Sequence, residues 1–267
     1  MSVFRKSLVA AACFVVTSGL AWAQQGGATY EPSVGQPGKD VVWVPTSQTL
    51  VDKMLDMAGL TAKDSLVDLG SGDGRMVITA AKRGAKARGI EYNPDMVALS
   101  KRLAAAEGMA DKVQLELGDI FQSNFSDATV VTLFLLPQLN LRLRPTLLDM
   151  KPGTRIVSNS FDMGDWVPDE SAVVTEGCSG HCNALKWTVP AKVGGTWKLG
   201  DQQLVLTQTY QKIEGSLNSG GKGAFISDTK LTGTNIQFTA AGQRYVGVVD
   251  GNTIRGKVNG KDWTATR

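Results

Sequence analysis

The chain has 267 residues, 42% hydrophobic and 20% charged, with a formal charge of +3. That length holds one large domain, or a medium domain with a small companion, and is enough to bury a full core. Its single histidine, His181, excludes a Ser-His-Asp hydrolase of ordinary type elsewhere in the chain.

The N-terminus reads as an export signal. Arg5 and Lys6 form a short positive region, Leu8 to Leu20 is apolar, and Ala21-Trp22-Ala23 fits a small-x-small cleavage pattern, placing the cut after Ala23. The apolar run is short for a bilayer span of about 20 residues. An uncleaved anchor is the alternative, and it too leaves the rest of the chain facing outward. The expected location is therefore outside the cytosol, the periplasm in the cleaved case. Once Arg5 and Lys6 are lost the formal charge falls to +1, unevenly spread. Residues 191–267 carry 10 Lys/Arg against 5 Asp/Glu, whereas residues 24–190 carry 16 against 20. A basic module of this kind suits an anionic envelope surface or is simply a solvated face.

Residues 24–40, rich in Gly, Pro and Gln, read as a flexible leader. Residues 41–190 then alternate strand and helix patterns. "TSQTLVDKMLDMAG" gives a first helix, followed by strands at 65–70, 87–92, 112–119, 128–136 and 154–161. Helices at 75–84, 94–108 and 139–150 lie between them, the last despite Pro145. This predicts right-handed crossovers and a parallel sheet. "SAVVTEG" and "ALKWTVPA" then predict an antiparallel edge joined by a tip containing Cys178 and Cys182. Two cysteines four residues apart in an exported chain read first as a local disulfide, with free thiols or a metal site including His181 as alternatives. Beyond residue 190, short alternating runs and tight turns predict a small antiparallel β domain, 191–267, of five to seven strands, meander or barrel-like.

The chemistry concentrates in "VDLGSGDGR". Asp68, Gly70, Gly72 and Gly74 sit where the first strand turns into its helix, and glycines there let backbone N–H groups approach a ligand. The spacing is not the Gly-x-Gly-x-x-Gly of dinucleotide oxidoreductases, which makes a nicotinamide enzyme the least favoured class. Glu91 ends the second strand, where a carboxylate can accept from both ribose hydroxyls. Asp119 ends the third, where a carboxylate can take an adenine amino donor.

With "GIEYN" and "GDIF", this loop resembles the class I S-adenosylmethionine-dependent methyltransferases. "VPTSQTLVDKML", "TLFLLPQLNLRLRPTLLDMKPGTRIVSNSF" and "DMGDW" are similar to a bacterial group related to the mitochondrial lysine methyltransferases of the ATP synthase c subunit and the adenine nucleotide translocase. The resemblance covers about residues 41–190. It implies an α/β, Rossmann-like fold, with the parallel sheet closed by the antiparallel edge, and S-adenosyl-L-methionine as cofactor. Gly70, Gly72 and Asp68 would hold the methionine end, with Asp73 at the loop's mouth. Glu91 would take the ribose, and Asp119 with Ile120 the adenine. No metal is expected at this site. The Asn/Asp-Pro-Pro-Tyr of amino-group methyltransferases for DNA bases or glutamine is replaced by Phe134-Leu135-Leu136-Pro137, so no nucleic acid is expected as partner. The expected acceptor is a protein lysine or a small molecule, with an exported binding protein that keeps the fold as a third reading. Asn159, Asp162 and Asp165 are acceptor-side candidates, or else turn residues near Trp166. Trp43 and Tyr30 can cover the cofactor or simply pack.

Overall fold

Local sequence accounts for the helices of the computed structural model, which describes residues 30–267. The expected signal segment, its cut after Ala23 and the leader as far as residue 29 lie outside the described residues. Residues 31–267 cluster as one unit. Ser47 caps helix α1 (Gln48–Met57) by accepting from the Leu50 N–H, and Leu50, Val51, Met54 and Leu55 bury one face. Helix α2 (Arg75–Lys82) starts directly after the glycine turn. Asn93 caps α3 (Pro94–Ala106), accepting from the Asp95 and Met96 N–H groups. Pro137 opens α4 (Pro137–Leu148), whose fixed backbone suits a first helical turn; Pro145 lies inside it.

Seven strands make the first sheet: β1 (Ser65–Leu69), β2 (Lys86–Glu91), β3 (Val113–Leu117), β4 (Val130–Leu133), β5 (Arg155–Asn159), β6 (Glu170–Val173) and β7 (Asn183–Thr188). Their order is β3-β2-β1-β4-β5-β7-β6. The first five run parallel, and β7 runs antiparallel to both of its neighbours. Every residue of β4 is buried, which is why its sequence is an unbroken apolar run. The order reverses between β1 and β4, so a crevice opens at their carboxyl ends. Asn159 pairs with Ala184, which brings the start of β7 to the carboxyl end of β5 and onto the same rim.

The second sheet has nine antiparallel strands: β8 (Gly195–Leu199), β9 (Gln202–Thr209), β10 (Lys212–Ser219), β11 (Lys222–Phe225), β12 (Ser227–Thr232), β13 (Asn235–Ala240), β14 (Gln243–Asp250), β15 (Thr253–Val258) and β16 (Lys261–Thr266). Their order is β11-β10-β9-β8-β16-β15-β14-β13-β12, a barrel-like arrangement around Trp197, Phe238, Tyr245 and Trp263. The count exceeds the five to seven expected. "LVLTQTYQKIEGSL" contains two strands folded at Tyr210, whose φ of 55° is left-handed for a bulky residue and gave no turn signal. "AFISDTKL" likewise spans β11 and β12, and β8 adds a strand beyond those expected.

The β9–β10 turn fastens the second sheet to the first. The Tyr210 ring stacks on Trp166 at 6.0 Å, and its hydroxyl donates to Asp165 Oδ2 at 3.0 Å. Gln211 Nε2 donates to the Val167 carbonyl at 2.7 Å. Trp166 and Trp187 are fully buried beneath, with Trp187 Nε1 donating to the Trp166 carbonyl. No helix among the described residues is long and apolar enough to cross a membrane.

Candidate cofactor and acceptor site

The glycine turn is fixed from beneath by the end of β2. The Gly70 and Ser71 N–H groups donate to the Ile90 carbonyl at 2.9 and 3.1 Å. Glu91 then bridges two segments: Oε2 accepts from the Gly72 N–H and Oε1 from the Asn93 N–H, both at 2.9 Å. Gly72 has a φ of 52°, and a Cβ there would lie 2.9 Å from Trp43 Nε1. A Cβ on Gly70, at φ 79°, would lie 3.1 Å from Leu135 Cδ2. Both glycines therefore keep open a backbone cradle that side chains would fill.

Asp68 is buried at the end of β1 and accepts a 2.6 Å hydrogen bond from Thr132 Oγ1. Burial pushes its carboxyl up to about 7, and the charges of Glu91 and Asp73 push the same way against the Thr132 bond. Asp73 is buried at the mouth of the loop and held by Arg75, whose Nη2 lies 2.5 Å from Oδ2. Arg75 Nη1 also donates to the Thr46 carbonyl at 2.7 Å.

Asp119 already has a partner on each carboxylate oxygen. Lys39 Nζ donates to its Oδ2 at 2.8 Å and holds its carboxyl below the ordinary value, while the Phe121 N–H caps Oδ1. The same ammonium stands 4.3 Å above the Tyr92 ring. Lys39 is presented by a short clasp that the sequence placed in the flexible leader. Trp43 donates to the Gln36 carbonyl, Gly35 donates to the Trp43 carbonyl, and Pro37 bridges Val42. The clasp and Trp43 roof a cavity of about 260 Å³ whose walls include Asp68, Gly70, Gly72, Glu91, Asp119 and Ile120. Tyr30 falls outside this unit.

The acceptor-side candidates do not gather here. Asn159 is fully buried, its amide donating to Thr46 Oγ1 at 3.2 Å and its Oδ1 accepting from the Ser160 hydroxyl. Asp162 closes a turn by accepting from the Gly164 N–H. Asp165 is taken by Arg144 and by Tyr210 of the second sheet, where it serves as an anchor between the two sheets. None of the three lines the cavity. Phe134, Phe161 and His181 line it instead. Cys178 and Cys182 are joined by a disulfide, so their sulfurs are not available as thiolate ligands for a metal with His181. Among the described residues no group of three or more ligating side chains could hold a metal ion.

Open glycine cradle, buried carboxylate and carboxyls at successive strand ends fit the methionine, ribose and adenine parts of S-adenosylmethionine. Comparison with known proteins agrees. The model of the ANTKMT methyltransferase domain matches residues 68–170. A protein-lysine N-methyltransferase of Saccharolobus islandicus is 39% identical over 53% of this chain and 89% of its own length. The adenine nucleotide translocase lysine N-methyltransferase of Mus musculus is 35% identical over 51% of this chain, and the match spans only 59% of that relative. An RNA methyltransferase of Salinibacter ruber, solved in complex with S-adenosyl-L-homocysteine, is 45% identical over 56% of this chain and 96% of its own, with a TM-score of 0.53. Residues of the cofactor cradle, the strand order and these relatives together place the chain in the S-adenosylmethionine-dependent methyltransferases, in the family of the ANTKMT methyltransferase domain.

Proposed function

We propose that this methyltransferase N-methylates lysine side chains of a protein acceptor. The observation that carries this reading is the lining of the cavity. Asp40, Asp68, Asp73, Glu91 and Asp119 stand there against Lys39 and Arg75, and both cations are already paired with cavity carboxylates. Among the described residues the cavity offers no unpaired Lys or Arg to a phosphate backbone, whereas the aromatic wall of Phe134 and Phe161 favours an alkyl-ammonium group. The lysine-methylating relatives support the same acceptor, and the RNA named for the Salinibacter ruber protein is the outcome that would contradict it.

Asp68 and the Gly70–Gly72 backbone would hold the methionine end, Glu91 the ribose, and Asp119 with Ile120 the adenine. When bound, S-adenosylmethionine would supply a sulfonium methyl to the amine lone pair, the C–S electron pair leaving with the sulfur. The protein's share is to exclude water beneath Trp43, fix the approach and accept the proton the amine must first lose. Incubating the protein with S-adenosylmethionine and envelope or cytosolic fractions is expected to yield methyl-lysine in protein hydrolysates. Methylated nucleosides without methyl-lysine would overturn this acceptor.

We also propose that the chain works outside the cytosol. The charge and apolar pattern of residues 1–23 supports this, as does the Cys178–Cys182 disulfide, since such bonds persist in oxidising compartments. The basic C-terminal sheet would then face an anionic envelope surface. The mature N-terminus is expected at Gln24; an intact Met1 on cytosolic protein would refute export.

A further inference from the structure

His181 is the only histidine of the chain, and it stands in an unusual place. Its φ of 51° is in the left-handed region, which costs an ordinary side chain energy and persists only where the surroundings impose it. Those surroundings are the loop closed by Cys178 and Cys182, three residues of chain between two joined sulfurs. The loop is anchored at its base, where Thr49 Oγ1 of α1 donates to the Gly177 carbonyl at 3.0 Å. The ring is thereby carried onto the cavity wall, 5.2 Å from the Phe134 ring and 5.6 Å from that of Phe161. Phe134 and Phe161 themselves stack at 6.1 Å. Neither nitrogen of the imidazole is engaged by a hydrogen bond among the described residues.

We propose that His181 is the base that takes the proton from the acceptor ammonium, and that Phe134 and Phe161 form with it the slot through which the acceptor side chain enters. The inference rests on the lysine-methylation reading above. An ammonium in the slot is attracted by the faces of the two phenylalanines, and its methylene stem packs against their apolar bodies. Its proton passes to an imidazole nitrogen of His181 and from there to solvent, which leaves the amine neutral with its lone pair free. The carboxylates considered from sequence are unsuited by position: Asp162 and Asp165 are committed to turn and anchor. The disulfide is the positioning element, since it closes the three-residue tip that carries the His181 ring to the cavity wall.

Because the histidine is unique, its ring signals in a proton NMR spectrum of tag-free protein report on this site alone. With S-adenosylhomocysteine bound, n-butylamine hydrochloride is expected to move those signals saturably, whereas 1-butanol is not. In a Cys178→Ser, Cys182→Ser protein the signals should shift to those of a solvated histidine and lose this response. His181→Asn removes the base while keeping a residue that tolerates left-handed backbone. It should bind S-adenosylhomocysteine like wild type in calorimetry yet methylate lysine with kcat about 100-fold lower, recovered in part by added imidazole. Unmoved histidine signals under n-butylamine, or wild-type kcat in His181→Asn, would overturn the proposal. Failure of wild-type protein to bind S-adenosylhomocysteine would instead strike the cofactor assignment, and binding without methyl-lysine the acceptor reading.

Discussion

Replacing Asp68 by asparagine is expected to stabilise the ligand-free protein at pH 8 while removing most of its affinity for S-adenosylmethionine. The carboxyl is buried at the end of β1, and burial first, then Glu91 and Asp73, lift it from 3.8 to about 7. The folded protein thus holds this proton more tightly than the unfolded chain. Stability is full below the unfolded value, falls as pH rises through the interval up to about 7, and is level above it. At about 1.4 kcal/mol per pH unit, the ionised carboxylate costs on the order of 4 kcal/mol at pH 8. Asparagine keeps the shape and an oxygen for Thr132 without the charge. Thermal unfolding followed from pH 5 to pH 8 should show wild type losing stability and Asp68→Asn remaining flatter. A parallel decline in both proteins would mean that Asp68 is not the group responsible.

The same carboxyl makes a second measurement informative. A cationic ligand beside Asp68 favours its ionised form, so binding near pH 6.5 should release a proton. Calorimetry in two buffers of different ionisation enthalpy would then give different apparent binding enthalpies for wild type and equal ones for Asp68→Asn. A destabilising charge kept at the ligand's cationic end is a stability cost that binding offsets.

Glu91→Ala should be the most damaging change to the cofactor cradle itself. The carboxylate accepts from the Gly72 and Asn93 N–H groups, so it ties the glycine turn to the start of α3 before any ligand arrives. Hydrogen bonds to a charged group are worth about 1.5–3 kcal/mol each, and removal leaves two backbone donors without partners. A combined loss of about 3 kcal/mol corresponds to roughly a hundredfold weaker S-adenosylhomocysteine binding, before any ribose contact is counted. Glu91→Gln, which retains one acceptor oxygen, should fall between the two. Affinity unchanged in Glu91→Ala, measured by calorimetry, would show that the ribose position has been misplaced.

The cofactor half was legible because its determinants are local. Asp68, Gly70, Gly72 and Glu91 lie at or beside strand ends, and alternation of strand and helix places successive carboxyl ends on one rim. Asp119 shows where that reasoning stops. Sequence puts it at the right strand end, but its partner Lys39 comes from a clasp eighty residues earlier in a segment whose composition suggested a leader. The rest of the cavity wall was harder still. Phe134, Phe161 and His181 follow three different strands, and no spacing in the chain relates them. Of the two loop carboxylates, Asp162 is taken locally by the Gly164 N–H, whereas the partners of Asp165, Arg144 and Tyr210, lie far from it in sequence.

The sequence by itself determined the class of fold, the glycine cradle and the candidate cofactor carboxylates, since hydrophobic period and turn chemistry act within a few residues. Tertiary structure alone decided which side chains line the cavity and which are spent on holding the molecule together. It did so through long-range pairings: β7 laid antiparallel on β5, the His181 ring set against Phe134 and Phe161, and the left-handed Tyr210 docking one sheet on the other. Such contacts depend on packing between segments far apart in the chain, which no local pattern encodes.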